Sequence, residues 1–387
     1  EKYLKGKNGV LKVEVDSLGN AKKEKGIIDP EAGSDLILGI DYELQKKIYD
    51  ELSKALEKTE TRTAAAIAID PRNGEIRALI SLPSFDNNVF SGKISQEDYL
   101  KLINDPNKPL FNRAVSGEYP PGSTIKPLLA SAALSEEIIT PSTIIEGLGG
   151  VLRIGNFSFG DWKVHGPSDV RTAIAESNDI FFYTIGGGYG GIEGLGMNRM
   201  KKYENLFGWG NVLGIDIPGE ASGFIPDTQW KLEKLGERWY TGDDYHCAIG
   251  QGFITATPIQ IINSIATIAN GGTLYQPRIV SKIVKINNEI INNSSVVVRD
   301  KLISPEIIKV VQEGMRKTIT SGTAQSLKDL PVEVAGKTGT SQFGNENKTH
   351  AWFTSYAPYN DPELAIIILA EGGGEGSSSS VPVTKEV

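Results

Sequence analysis

From Asp41 the chain takes up a helical rhythm. Leu44, Ile48, Leu52, Ala55 and Leu56 share one face, Asp41 stands where an N-cap belongs, and a helix is predicted from about Tyr42 to Lys58. The rhythm then shortens. Ala64 to Ile69 and Glu75 to Leu82 are apolar, strand-like runs joined by Asp70-Pro71-Arg72-Asn73-Gly74, whose Asn-Gly favours a tight hairpin. A sheet needs more strands than one hairpin supplies. Matching runs occur only near the other end, at Val332 to Gln342, His350 to Tyr356 and Leu364 to Ala370; the last is nearly continuous, as suits a strand covered on both faces. First and last segments, about 60–83 and 330–371, are therefore expected to pair in one sheet around an inserted helical part at about 115–275. Inside that insert Asp169 to Glu176, Ile180 to Ile185, Met197 to Phe207 and Pro258 to Ala269 carry helical spacing or start signals between glycine-rich loops. The fold class is α+β, a central antiparallel sheet flanked by helices with a helical subdomain inserted.

Two stretches fall outside this pattern. Residues 1–33 are polar and charged, with one alternating run, Leu11-Lys12-Val13-Glu14-Val15, and read as the remnant of a separate region preceding a main domain at 34–387. Gly372-Gly373-Gly374-Glu375-Gly376 and the four serines after it read as a flexible loop, and Val381 to Val387 is too short to assign.

Composition narrows the function classes more than it names one. With 387 residues the chain can bury a large core, and its net charge of −8 argues against a nucleic-acid surface and gives no polybasic membrane patch. Cys247 is the only cysteine, which excludes an internal disulfide and a thiolate metal cluster. No signal peptide and no apolar run of about eighteen residues are present. Glu1 is not a natural start, so the chain is expected to be a fragment whose lack of an anchor says nothing about the full-length protein.

The densest chemistry lies in Tyr119-Pro120-Pro121-Gly122-Ser123-Thr124-Ile125-Lys126-Pro127. Proline is tolerated in a helix only in the first turn, so Pro127 predicts a helix that starts at or near Ser123. Residues three apart share a helix face, which sets Ser123 beside Lys126, at the positive end of the dipole where an oxyanion is favoured. Alone the spacing is weak, since on the order of two S-x-x-K matches arise by chance in a chain of this length. An N-cap serine and a solvated lysine would give the same pattern. Two further clusters change the weight: Ser177-Asn178-Asp179 between helical stretches, and Lys337-Thr338-Gly339-Thr340 on a predicted strand.

In this order and at these separations the three resemble the S-x-x-K, S-x-N and K-T-G elements of penicillin-binding proteins and serine β-lactamases. Tyr119 to Pro127, Gly250-Gln251-Gly252 and Thr255-Ala256-Thr257-Pro258 look like class B penicillin-binding proteins. Asp161-Trp162, Trp239-Tyr240-Thr241-Gly242-Asp243 and His350-Ala351-Trp352-Phe353 look most like the elongation-type branch, penicillin-binding protein 2. The likeness runs over roughly residues 34 to 370.

The resemblance implies a transpeptidase fold and a peptidoglycan D,D-transpeptidase that works through a serine acyl-enzyme and is acylated by β-lactams. Ser123 is then the nucleophile and Lys126 its base, with burial and Lys337 expected to lower the pKa of Lys126. Ser177 would relay the proton, and the backbone N–H groups of Ser123 and Thr340 would form the oxyanion hole. Asn178, Asp179, Thr338, Gly339 and Thr340 are the implied substrate-binding residues, with Lys337 set for the terminal carboxylate. An edge strand would let the substrate pair with it, Gly336 and Gly339 keeping the approach clear. No cofactor is implied. Implied partners are stem peptides ending in D-Ala-D-Ala, β-lactams and a membrane glycan polymerase of the elongation complex, contacted mainly through parts missing here. The implied location is the outer face of the cytoplasmic membrane. A β-lactamase, a D,D-carboxypeptidase or a penicillin-sensing module would share the three elements.

Two departures stand out. The second element ends in Asp179 where the family usually has asparagine. Some penicillin-binding protein 2 members bind zinc near this site; Asp161 and His165 are present, but Asn178 stands where a cysteine would be and is a poor zinc ligand, so no metal is expected. Cys247 beside His246 reads as a buried small residue. Trp162, Trp230, Trp239 and Trp352 read first as packing residues, those near Ser177, Gly250 or Lys337 also able to line a groove.

Overall fold

The structure, a computed structural model, describes residues 3–59, 61–344 and 348–387. Glu1, Lys2 and Glu60, at the edges of the expected segments 1–33 and 60–83, lie outside the described residues. Strands Val10–Val15 and Ala21–Ile28 form an antiparallel hairpin exposed along its whole length, so the alternating run pairs locally and contributes no core.

Helix α1 (Tyr42–Glu57) is capped as predicted, the Asp41 carboxylate accepting from Leu44 N–H, and it buries Ile48, Leu52 and Leu56. Strands β1 (Ala64–Asp70) and β2 (Glu75–Leu82) make the expected hairpin. The helical insert follows: α2 (Lys126–Ser135), α3 (Val170–Glu176), α4 (Asp179–Gly187) and α5 (Pro258–Ala269). Three more helices, Gly196–Leu206, Thr228–Leu235 and Thr241–Ala248, lie between α4 and α5. The helical part then continues past 275, because α6 (Pro305–Thr320) packs against α2 and α3. Ser304 caps α6, Pro305 occupies its first turn and Ile308, Val311, Met315 and Ile319 are buried. Strands β3 (Ala335–Phe343), β4 (Lys348–Ala357) and β5 (Leu364–Ala370) close the chain back onto the first hairpin.

The sheet order is β3-β4-β5-β1-β2, antiparallel throughout, so the first and last segments do pair across the insert. β5 is central, which explains its unbroken apolar run. Side-chain alternation divides its residues between two cores: Ile367 and Leu369 face the helical insert, while Ile366 and Ile368 face α1 and α7 (Gly376–Glu386). Each fully buried aliphatic chain here contributes roughly 1.5–3 kcal/mol, so a charge at Ile367 would break the layer.

Helix α7 corrects the sequence reading of a flexible serine run. Ser378 and Ser379 donate their N–H groups to the Glu375 carbonyl, and Ser380 is fully buried with its hydroxyl on the Ala351 carbonyl at 2.9 Å. Serine near a helix start bonds back to nearby backbone, so a run that is poor as a mid-helix sequence serves as a first turn. Gly372–Glu375 remains the connecting loop.

Candidate active site

The three chemistry-bearing stretches meet at a cleft of about 620 Å³ between the helical insert and the edge of the sheet. Ser123, Ser177, Asp179, Thr338, Gly339 and Thr340 reach its surface, while Lys126 and Lys337 lie fully buried behind it.

Ser123 sits in a tight 3₁₀ turn, Gly122–Ile125, that leads into α2, so the α-helix starts three residues later than predicted. Lys126 N–H closes the turn on the Ser123 carbonyl, and Pro127 falls in the first α-turn as expected. The approach to this turn is fixed by backbone. Tyr119 and Ala256 exchange two hydrogen bonds, of 3.0 and 2.9 Å, and Gly122 N–H donates to the Gly250 carbonyl at 2.9 Å. A Cβ on Gly250 would lie 2.2 Å from the Gly122 carbonyl oxygen, which explains the Gly250-Gln251-Gly252 stretch as a seat for the nucleophile turn. Thr257 and Gln260 form a capping box that starts α5 at Pro258. The Tyr119 hydroxyl donates to Glu371, which Arg113 Nε also contacts at 3.0 Å.

Ser177 links α3 to α4 in the left-handed conformation, φ 58°, rare for a side chain with a Cβ and the kind of strain that gathers at functional sites. The reversal aims both of its oxygens at Lys126, whose Nζ donates to the Ser177 carbonyl at 2.9 Å and to its hydroxyl at 3.2 Å. Asp179, in the first turn of α4, accepts from the same Nζ. Asn178 goes elsewhere. Its side chain is buried, caps α4 by accepting from Phe181 N–H at 2.9 Å, and donates to the Ser168 hydroxyl at 3.2 Å.

On the opposite wall β3 is an edge strand, as the chemistry requires. Lys337 Nζ donates to the Thr338 carbonyl at 2.8 Å, and the Thr338 hydroxyl pairs with that of Thr323 at 2.6 Å. Burial pushes the pKa of Lys337 well down, the charge of Lys126 adds to this, and Asp179 opposes it. Gly339 also packs against the nucleophile turn. A Cβ there would meet Thr124 Cγ2 at 2.8 Å, so the missing side chain lets the nucleophile turn pack on the strand.

The penicillin-binding protein transpeptidase domain matches residues 64–387, the span that contains the sheet, the insert and all three elements. The chain belongs to the penicillin-binding protein transpeptidase family. It is 33% identical over 414 residues to the peptidoglycan D,D-transpeptidase MrdA of Haemophilus influenzae, covering 100% of this chain and 60% of that protein. With MrdA of Escherichia coli K12 it shares 34% over 398 residues, covering 97% and 60%. The chain thus spans about 60% of the length of these curated relatives. Among solved structures, Pseudomonas aeruginosa PBP2 in complex with WCK 5153 superposes with a TM-score of 0.81 at 32% identity, covering 93% of this chain and 79% of that one. Helicobacter pylori PBP2 in its complex with MreC gives 0.81 at 32%, covering 97% and 67%.

The zinc seen in some members of this family does not fit these residues. His165 uses Nδ1 on Glu176 at 2.9 Å and turns Nε2 toward Asp161, 3.4 Å away in poor hydrogen-bond geometry, while Asn178 is committed to capping. No group of three or more His, Cys, Asp or Glu side chains placed to hold a metal occurs among the described residues. Burial and the nearby Asp179 carboxylate push the Asp161 carboxyl up, and its other oxygen accepts from Ile180 N–H at 3.1 Å, tying it to the start of α4. Cys247 is buried and its thiol is pushed well up by that burial.

The cleft also holds residues outside the three elements. Trp162 is 58% exposed and lines the cleft, unlike Trp352, which is fully buried in the sheet as expected of a packing residue. His246, Tyr183, Thr323, Glu375 and Ser377 line it too. Only the last two had a signal, their place in the glycine-serine run, and it was read as a loop.

Proposed function

We propose that this chain is the catalytic part of a peptidoglycan D,D-transpeptidase of cell elongation, acting through an acyl-enzyme on Ser123. The observation that carries the reading is the gathering of Ser123, Ser177 and Asp179 on one cleft with Lys126 and Lys337 buried directly behind. Lys126 takes the Ser123 hydroxyl proton as Oγ attacks the carbonyl between the two D-alanines. The N–H groups of Ser123 and Thr340 stabilise the oxyanion. The proton passes from Lys126 through Ser177, its 3.2 Å contact, to the leaving amine, and D-alanine departs. An amine of a second stem peptide then attacks the ester carbonyl. Lys337, Thr338 and Thr340 suit the donor's terminal carboxylate, and Gly339 leaves the strand free to pair with the peptide.

The same reading takes β-lactams as acylating mimics and sets the enzyme on the outer face of the cytoplasmic membrane, beside a membrane glycan polymerase. Its support is the likeness to MrdA proteins, to PBP2 in complex with MreC, and to a peptidoglycan synthase complex at TM-score 0.85 and 33% identity. No helix among the described residues is long and apolar enough to cross a membrane. The exposed hairpin supports treating 1–33 apart from the catalytic region 34–387.

Mass spectrometry after incubation with benzylpenicillin tests the reading. A long-lived adduct on the peptide carrying Ser123, absent from Ser123→Ala, is expected. Rapid release would mark a hydrolase instead, and an adduct on Ser123→Ala would displace the nucleophile.

A further inference from the structure

A transpeptidase has two substrates of opposite demand. The donor brings a carboxylate, which Lys337 and the hydroxyls of β3 suit. The acceptor brings an amine, which near neutral pH arrives as an ammonium. Something in the cleft must favour that charge. Among the described residues two carboxylates line the cleft, Asp179 and Glu375, and no lysine or arginine does. Asp179 is already engaged by Lys126. Glu375 is exposed and makes no ion pair among the described residues. The hydroxyl of Ser377, 3.4 Å away, is its side-chain contact.

Glu375 is also held firmly in place. The next residue, Gly376, begins α7 against β3: a Cβ on it would lie 2.1 Å from the Trp352 carbonyl oxygen and 2.5 Å from that of Gly339. Gly376 N–H points to the Thr340 hydroxyl at 3.4 Å, and the Glu375 carbonyl accepts from Ser378 and Ser379 at 3.2 and 3.0 Å. The backbone is therefore fixed next to Thr340, and it sets the Glu375 side chain on the rim of the cleft that Ser123 opens into.

Building on the transpeptidase reading above, we infer that Glu375 is the acceptor-docking residue, binding the ammonium of the incoming stem peptide beside the acyl-enzyme. It docks and does not react. The docked ammonium sheds one proton to water, and the amine attacks the ester carbonyl; the C–N bond forms as the bond from carbon to Ser123 Oγ breaks. The amine's second proton returns to Oγ through Ser177 and Lys126, so atoms and charge balance.

The two half-reactions separate the tests. Acylation by benzylpenicillin and release of D-alanine from a donor pentapeptide are expected to be unchanged in Glu375→Gln and Glu375→Lys, because neither involves the acceptor. With a stem peptide bearing a free diamino-acid amine as acceptor, Glu375→Gln raises the acceptor KM roughly threefold to fivefold, the scale of one exposed ion pair. Glu375→Lys raises it roughly tenfold or more. The ionic-strength dependence of acceptor KM in the wild type flattens in Glu375→Gln. Acceptor KM within twofold of wild type in both variants, or acylation falling in step with transfer, would overturn the inference. If wild type is acylated but transfers to no amine at all, the transpeptidase reading itself fails.

Discussion

The two walls of the cleft each bury a lysine, and they treat it in opposite ways. On the helical wall Lys126 is surrounded by oxygen: the Ser177 carbonyl and hydroxyl and the Asp179 carboxylate all accept from it. On the sheet wall Lys337 is equally buried and has one backbone carbonyl. Burying a cation is costly unless it is paired, so the helical wall is internally compensated, while the sheet wall gives its lysine a single backbone acceptor and no hydrogen-bonded carboxylate. On the function proposed above, the difference separates two tasks. A group that shuttles a proton needs acceptors already in contact, whereas a group that recognises a carboxylate gains when its partner is supplied by the substrate.

The largest effect that would break this contrast lies on the helical wall. Lys126→Met keeps much of the volume and removes the base, and the benzylpenicillin acylation rate is expected to fall on the order of 10²–10⁴-fold, followed by stopped-flow or intact mass. A fall under tenfold would move the base elsewhere.

On the sheet wall, Lys337→Met should lower acylation by roughly ten- to a hundredfold, since a charge-assisted contact to the ligand carboxylate is lost. The same change is expected to stabilise the fold by on the order of 1–4 kcal/mol in chemical denaturation, because an apolar chain replaces a fully buried amine with a single backbone acceptor. The pH dependence fixes the sign. Between the lowered pKa of Lys337 in the fold and the ordinary 10.5 of the unfolded chain, the unfolded state binds more protons, so wild-type stability rises with pH across that window. The stability gap between Lys337→Met and wild type should therefore narrow from pH 7 toward pH 10. A variant less stable than wild type would show that Lys337 is compensated after all.

Asp179→Asn sharpens the contrast with the smallest change. The amide still accepts from Lys126 but no longer offsets its charge, and a several-fold change in acylation rate is expected. An unchanged rate would take the Asp179 charge out of the mechanism and leave the backbone carbonyl and hydroxyl of Ser177 as the working contacts.

Much of this site was legible because the chemistry is local in sequence. Pro127 places the helix start within a few residues of Ser123, and the period-two run around Lys337 places that lysine on a strand, whatever the rest of the chain does. The missed elements failed for different reasons. Helix α6 carried a full set of signals, Ser304 as cap, Pro305 and one apolar face, and was passed over. Helix α7 was hidden because serines that bond to their own backbone look like loop until something buries one of them, as the Ala351 carbonyl does Ser380.

By itself the sequence determined which residues are candidates for the chemistry and that the two ends of the chain share a sheet, since residue type, spacing and hydrophobic period are properties of the chain. Only the tertiary structure decided how charge is shared among them. Ser177 and Asp179 lie more than fifty residues from Lys126 and reach it through a left-handed turn, and Lys337 has its pKa lowered because packing removes its water and sets Lys126 nearby, with Asp179 opposing. Desolvation and long-range contact depend on what the fold brings together, and no local pattern encodes either.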